Sequence, residues 1–159
     1  MPHDRDQMDF HKIWRSLVAG LCGSAAHFCL MYLKSRAGLL PSFQPYDDLQ
    51  HALGNLLGHS VNPWLAWLMS FLNGAVVLGL LFGRIYRLLP GRIGAVKGLA
   101  FGLLGWALMG LVFFPLLGRG LFGLDAGLGV RPALFSLLML LTYGVIMVCV
   151  PKTLFELMP

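Results

Sequence analysis

Long apolar runs alternate along the chain with short segments that carry most of the charged residues. A helix needs about 20 mostly apolar residues to cross a hydrocarbon core of about 30 Å. Four runs have this character: 16–33, 63–83, 95–117 and 132–150. Backbone groups cannot stay unpaired in lipid, and the alternation typical of a membrane barrel is absent. The pattern therefore predicts an all-α, polytopic membrane protein with a bundle of four transmembrane helices.

The composition agrees with lipid as the surrounding solvent. Of the 159 residues, 57% are hydrophobic and only 12% are charged, whereas a soluble domain carries about 25% charged residues. This composition argues against a soluble fold, and it excludes a disordered chain, whose signature is low hydrophobicity with high charge. The net charge of +5 is therefore interpreted as a determinant of topology, and nucleic acid is not an expected partner.

The distribution of positive charge predicts the orientation of the chain. With four spans both termini lie on one side, and eight of the twelve Lys and Arg residues lie on that side; Lys34, Arg36, Arg119 and Arg131 lie on the other. Positive charge is retained in the cytoplasm. We therefore expect a bacterial inner-membrane protein with a cytoplasmic N-terminal tail (1–15), a transmembrane domain (16–150) and a cytoplasmic C-terminal tail (151–159).

The first periplasmic loop, 35–62, contains an amphipathic pattern. From Tyr46 to Ser60, leucines share one stripe and polar residues the other, with a period near 3.6. The pattern predicts an interfacial helix that is capped by Asp47 or Asp48, ends at Gly58, and lies in the interface plane or over the mouth of the bundle. In the second outer loop, Arg119 and Asp125 are interpreted as a candidate ion pair within the loop, which would be worth little if exposed.

Small residues indicate where the spans pack, because helices in lipid associate through close backbone approach. The candidate packing positions lie on spans one, two and three: Gly20, Gly23, Gly79, Gly83, Gly94, Gly98 and Gly102. Contacts within one chain are favoured over a homodimer seam. The Pro90-Gly91 turn predicts that spans two and three form a hairpin whose glycine faces meet. Pro151 is expected to end span four.

Polar side chains inside the spans are candidates for ligand binding, because they are costly in lipid. His27, Asn73 and Tyr143 are the foremost, and His27 is expected to point into the bundle. They would line a polar route, contact a quinone headgroup or lipid, or form hydrogen bonds between helices. Hydrogen bonds between helices are favoured over the other two roles. Cys22 and Cys29 lie on one face, where packing is favoured over a metal.

Several residue patterns that particular functions require are missing from the sequence, which disfavours those functions. No charged residue lies at the centre of a span, which weakens an ion pump, and one intramembrane histidine is too few for a haem with two axial histidines. No catalytic arrangement and no phosphate-binding loop is present, so no catalytic residues and no cofactor are assigned. A metal on Asp47, His51 and His59 is less favoured than a solvated face.

Conspicuous glycines, aromatics and a few polar residues recur along most of the chain: Ala19-Gly20, His27, Lys34, Gly38-Leu39-Leu40-Pro41, Gly74, Gly79, Tyr86, Lys97-Gly98, Gly102, Trp106, Pro115, Gly120-Leu121-Phe122-Gly123 and Tyr143-Gly144. In these residues the chain resembles small four-helix bacterial inner-membrane proteins of unknown function, close to the YagU-like group. The resemblance implies a polytopic inner-membrane protein. It implies no catalytic residues.

The favoured function is a non-catalytic subunit or accessory protein of a larger bacterial membrane complex, such as a respiratory or photosynthetic one. It would contact other subunits, or copies of itself, through glycine-lined faces. The alternative is a small oligomeric transporter with a polar route at His27 and Asn73. A haem- or metal-binding redox subunit is a weaker alternative.

Overall fold

The computed structural model describes residues 3–40 and 42–157, and the side chains of 13–40 and 42–149. Throughout the described residues the secondary structure is helical and no strand occurs. The α-helices are α1 (His3–Arg36), α2 (Pro45–Leu57), α3 (Pro63–Leu72), α4 (Gly79–Ile85), α5 (Gly94–Leu108), α6 (Phe114–Leu116) and α7 (Arg131–Leu157). Two π-helical segments, Asn73–Leu78 and Met109–Phe113, join α3 to α4 and α5 to α6, and a 3₁₀ segment covers Leu121–Ala126.

Four helical stretches are long and apolar enough to cross a membrane, which confirms the predicted architecture. We name them span 1 (Ile13–Arg36), span 2 (Pro63–Ile85), span 3 (Gly94–Leu116) and span 4 (Arg131–Cys149). Helical backbone extends further than predicted at both ends, because α1 begins at His3 and α7 continues past Pro151 to Leu157. The expectation that Pro151 ends the helix was wrong; proline removes one hydrogen bond, but its φ is compatible with a helix.

Both π-helical segments lie inside spans, and each contains or precedes a residue that disfavours a regular α-helix, glycine or proline. Proline has no N–H and its ring crowds the carbonyl four residues earlier, so Pro115 perturbs the ladder through Met109–Phe113. A π-helical stretch therefore directly precedes the short helix that contains Pro115. The segment in span 2 begins at Asn73 and contains Gly74. Wide turns of this type leave carbonyl groups available to side chains of other helices.

Glycines bring two pairs of spans into backbone contact. At Gly20 of span 1, an added methyl group would collide with the Ala75 carbonyl and would lie 2.9 Å from the Gly79 Cα. At Gly98 of span 3, it would collide with the Gly144 carbonyl of span 4. Spans 1 and 2 therefore pack together, as do spans 3 and 4.

This pairing corrects the expectation for spans 2 and 3. The glycines of span 2, Gly79 and Gly83, face Ser16 and its neighbours on span 1, and Gly102 of span 3 faces the Leu140 carbonyl on span 4. Between spans 2 and 3 the ring of Phe82 meets that of Phe101 edge-on, with centroids 4.9 Å apart. A short connection makes two helices neighbours, but it does not decide which faces are smooth enough for close approach.

The remaining predicted packing glycines also face other parts of the same chain. Gly23 lies against the Tyr143 ring and Met147, and Gly94 lies against Val148. Internal packing, which was favoured over a homodimer seam, therefore accounts for the predicted glycines. The main core cluster combines residues of all four spans with Leu89 of the connection between spans 2 and 3: Ala19, Phe82, Leu89, Phe101, Tyr143 and Met147.

A matched pair of substitutions on α5 tests the role of backbone contact. In Gly98→Ala the new methyl group would lie 2.8 Å from the Gly144 carbonyl carbon, whereas in Gly105→Ala it would meet only the Leu140 Cδ2 at 3.8 Å. We expect Gly98→Ala to lower the free energy of unfolding by about 1–3 kcal/mol through overpacking. We expect Gly105→Ala to be neutral or to gain up to about 1 kcal/mol from helix propensity. Unfolding in mixed micelles with increasing denaturing detergent measures both; equal effects would contradict this packing.

Candidate functional site

Residues 42–62, which we name the end cap, fold over one end of the bundle. Phe43 is 2% exposed and packs edge-on against Phe114, with ring centroids 5.7 Å apart. Tyr46 stacks on Trp67 of span 2 at 4.0 Å, and Phe28 of span 1 lies 5.2 Å from the same indole. The predicted helix thus covers the mouth of the bundle with its N-terminal part.

The start of α2 differs from the expected capping. Neither Asp47 nor Asp48 caps the helix, since the N-cap is Gln44 and Pro45 occupies the first helical position. Proline is favourable there because the N–H it lacks has no intrahelical partner. At the other end Gly58 has φ 73°, the left-handed conformation expected of a glycine that ends a helix.

Two cationic side chains hold the end cap in place. Lys34, at the end of span 1, is 2% exposed and donates a hydrogen bond to the Phe43 carbonyl. Arg119 donates from Nε to Asp48 Oδ2 at 3.0 Å and from a terminal nitrogen to the other oxygen. These hydrogen bonds raise the pKa of Arg119. The expected pairing of Arg119 with Asp125 was wrong; Asp48 offers both of its oxygens to the guanidinium, which a bidentate arrangement favours.

A small cavity lies beneath the end cap, inside the bundle. Its volume is about 20 Å³, and its walls come from α1, the cap, span 3 and span 4: His27, Met31, Phe43, Pro45, Met109, Ser136, Met139 and Leu140. The structure records no hydrogen bond between the His27 ring nitrogens and any residue that it describes. His27 therefore faces the interior of the bundle, as expected from its position on span 1.

Tyr143 lies elsewhere in the bundle. It is 3% exposed and donates a hydrogen bond of 2.6 Å to the carbonyl of Gly74, in the π-helical segment of span 2. Ser24 lies beside it with a buried hydroxyl that has no partner among the described residues. Tyr143 therefore links spans 2 and 4 and belongs to the main core cluster, and it does not line the cavity beside His27.

Asn73 lies on the outside of the bundle. It begins the π-helical segment of span 2, its side chain is exposed, and no described residue hydrogen-bonds to its amide. His27 and Asn73, predicted to line one polar route, are not brought to a common cavity. The cause is the rotation of span 2, whose glycines turn toward span 1 and leave Asn73 facing away from the core.

The polar face of α2 borders an open groove of about 510 Å³ outside the bundle, which includes His51, Asn55 and His59. Asp47 does not line it. Within the described ranges, no three His, Cys, Asp or Glu side chains come close enough to hold a metal ion. The cysteines there, Cys22, Cys29 and Cys149, form no disulfide bond with one another.

Sequence reasoning missed two features of this region. Lys34 was interpreted as a charge that bounds span 1, although it is buried under the cap. Three methionines at the His27 cavity received no role, because methionine is ordinary in an apolar run. The one available signal was the spacing of His27 and Met31, which places both on one face of α1.

The ionisation of Tyr46 reports whether the cap is closed. Burial raises the pKa of Tyr46 to about 12, and the neighbouring Ser70 hydroxyl acts weakly in the opposite sense. The folded chain thus keeps the Tyr46 hydroxyl protonated at a higher pH than the unfolded chain does, where its pKa is about 10. The contribution of this group to the free energy of unfolding is fully present below about pH 10 and is lost as the pH rises through about 12.

We expect Asp48→Asn to weaken the contact with Arg119, admit water and lower the pKa of Tyr46 toward its ordinary value. Asp47→Asn replaces the exposed residue next to Asp48, which does not pair with Arg119, and should leave the pKa of Tyr46 unchanged. Alkaline titration of tyrosinate absorbance measures both, with Tyr46→Phe to assign the signal. An unchanged titration in Asp48→Asn would show that the pair does not secure the cap.

Comparison with known proteins places the chain among uncharacterised relatives. No curated protein and no solved structure matches it. One family model, described as a family of unknown function (DUF6789), matches residues 10–156. This match includes all four spans, the end cap and the cavity. The chain therefore belongs to the DUF6789 family of unknown function, as an all-helical membrane protein with four candidate spans.

Proposed function

We propose that the protein is a non-catalytic subunit or accessory protein of a larger bacterial membrane complex and that it contacts its partner through the outward face of span 2. The observation that carries the proposal is the position of Asn73. Ten residues of span 2 precede it and twelve follow it. Its amide is thus near the middle of the bilayer, exposed at the surface of the bundle.

An amide that faces hydrocarbon without a partner is unfavourable, because lipid tails offer no hydrogen bonds. The neighbours on the same face are apolar and exposed: Met69, Val76, Val77 and Leu80. None of these side chains can satisfy the amide. A polar group on a helix of another subunit can, and such hydrogen bonds stabilise helix pairs by about 1 kcal/mol.

The glycine faces are not the proposed docking surface. Gly20, Gly79, Gly98 and Gly102 already contact other helices of the same chain. Because these glycines are already covered within the chain, we propose the surface of span 2 around Asn73 as the interface instead. The partner proposed here is therefore a transmembrane helix with a hydrogen-bonding side chain near its midpoint.

The cavity beside His27 has a volume of about 20 Å³, the space of about one water molecule. Asn73 is not among its lining residues, and this separation of the two polar side chains supports a binding subunit over the transporter alternative. No catalytic residues are proposed. Lipid is the other expected contact of the bundle surface.

Asn73→Leu tests the interface. We expect the wild-type protein to co-purify in mild detergent with a stoichiometric membrane partner, and we expect Asn73→Leu to lower the recovered partner about fivefold, the equivalent of about 1 kcal/mol. Thr142→Val is the matched control, since the Thr142 hydroxyl bonds to Leu138 of its own helix. A wild-type protein that runs alone contradicts the subunit role, and an Asn73→Leu variant that keeps its partner contradicts the interface.

We also propose that the protein lies in the bacterial inner membrane, with both termini in the cytoplasm, and that it is related to the YagU-like group that it resembles. The excess of Lys and Arg on the side of the termini supports this orientation. The capped end of the bundle then faces the periplasm. The bond between Asp48 and Arg119 supports a common side for the first and third loops.

Reporter fusions test this orientation. An enzyme active only in the periplasm should be inactive when fused to the C-terminus and active when inserted at exposed Leu56 of α2. Fluorescent protein, which matures in the cytoplasm, should give the reverse pattern. A periplasmic C-terminus would overturn the proposed topology without affecting the four-span fold.

A further inference from the structure

The cavity beneath the end cap brings together four side chains that can donate electron pairs to a metal. His27 and Met31 come from span 1, Met109 from span 3 and Met139 from span 4. Met31 and Met139 are 5% and 4% exposed and belong to one buried cluster with Tyr46. The donors therefore converge from three helices on one enclosed space.

The size and walls of the cavity limit its occupant. The volume, about 20 Å³, accommodates one water molecule or one ion. A buried water typically needs two to four polar partners. The side chains with a nitrogen or oxygen at the cavity are His27 and Ser136, and the Ser136 hydroxyl, which donates to the Ala133 carbonyl, retains only acceptor capacity.

The donor set is soft and uncharged. Thioethers and imidazole favour Cu(I), whereas Mg²⁺ and Ca²⁺ require carboxylate or carbonyl oxygens. No Asp or Glu lines the cavity. Lys34, the nearby buried cation, directs its ammonium group to the Phe43 carbonyl and is not among the lining residues.

The backbone at Met109 is irregular as well, in the stretch that Pro115 perturbs. Met109 is the first residue of the π-helical segment of span 3, and such single wide turns recur at functional sites. The next residue, Gly110, lies against the ring of Phe122, which packs on Trp106 at 4.6 Å. The segment that contains Met109 therefore also contacts the last loop, through Gly110.

We propose that His27, Met31, Met109 and Met139 form an intramembrane binding site for a soft monovalent cation, Cu(I). The three thioethers and the imidazole supply up to four neutral ligands. Phe43 and Pro45 of the end cap form part of the wall of the site. The proposal is independent of the subunit role, since it concerns the interior of the bundle and not the outward face of span 2.

The test measures metal binding by the full-length protein in detergent micelles, without oxygen and without chloride. Ag(I) is the redox-inert probe, and Cu(I) is measured by competition with a chromophoric chelator. We expect one equivalent of either ion per chain. Because thiols also bind these ions, the same result is required after Cys22, Cys29 and Cys149 are replaced by alanine.

Methionine-to-leucine substitutions locate the site, because they remove the sulfur and nearly conserve volume. Met109→Leu and Met139→Leu should each weaken binding at least tenfold with unchanged circular dichroism, and X-ray absorption of the Cu(I) form should show sulfur and nitrogen neighbours. Met69→Leu, on the exposed face of span 2, should bind as the parent does. Absence of binding, binding that disappears with the cysteines, or equal affinity in Met109→Leu and Met69→Leu would overturn the proposal.

Discussion

Close backbone contact at glycines is the constraint on which the rest of the bundle depends. In lipid the hydrophobic effect gives helices little reason to associate, so packing and hydrogen bonds must supply the attraction. Gly20 against Ala75 and Gly98 against Gly144 let two pairs of spans approach until backbones touch. These contacts fix the rotation of each helix about its axis, and that rotation decides which side chains face inward.

The same rotation separates the polar residues into different environments. Tyr143 is directed at the Gly74 carbonyl and ties spans 2 and 4 together. His27 meets a small apolar cavity, and Asn73 is left on the outside surface. Three residues that share one property in the sequence, polarity within an apolar run, therefore have a structural, an interior and a surface role.

The end cap joins segments that are distant in the chain. Lys34 holds Phe43 from span 1, and Arg119 holds Asp48 from the loop after span 3. Lys34 is buried and the Asp48 carboxylate is largely so, so water screens the hydrogen bond of Lys34 and the Arg119–Asp48 ion pair less than it would at the open surface. The cap consequently couples the first and third loops and encloses the cavity beneath them.

The sequence by itself determined the solvent, the helical fold and four spans, because length and hydropathy act locally and each run must satisfy its own backbone in lipid. It also identified α2 and its end at Gly58. Only the tertiary structure decided the pairing of glycine faces, the partner of Arg119 and the gathering of Met109 and Met139 around His27, because these depend on helix rotation and on contacts between residues far apart in the chain.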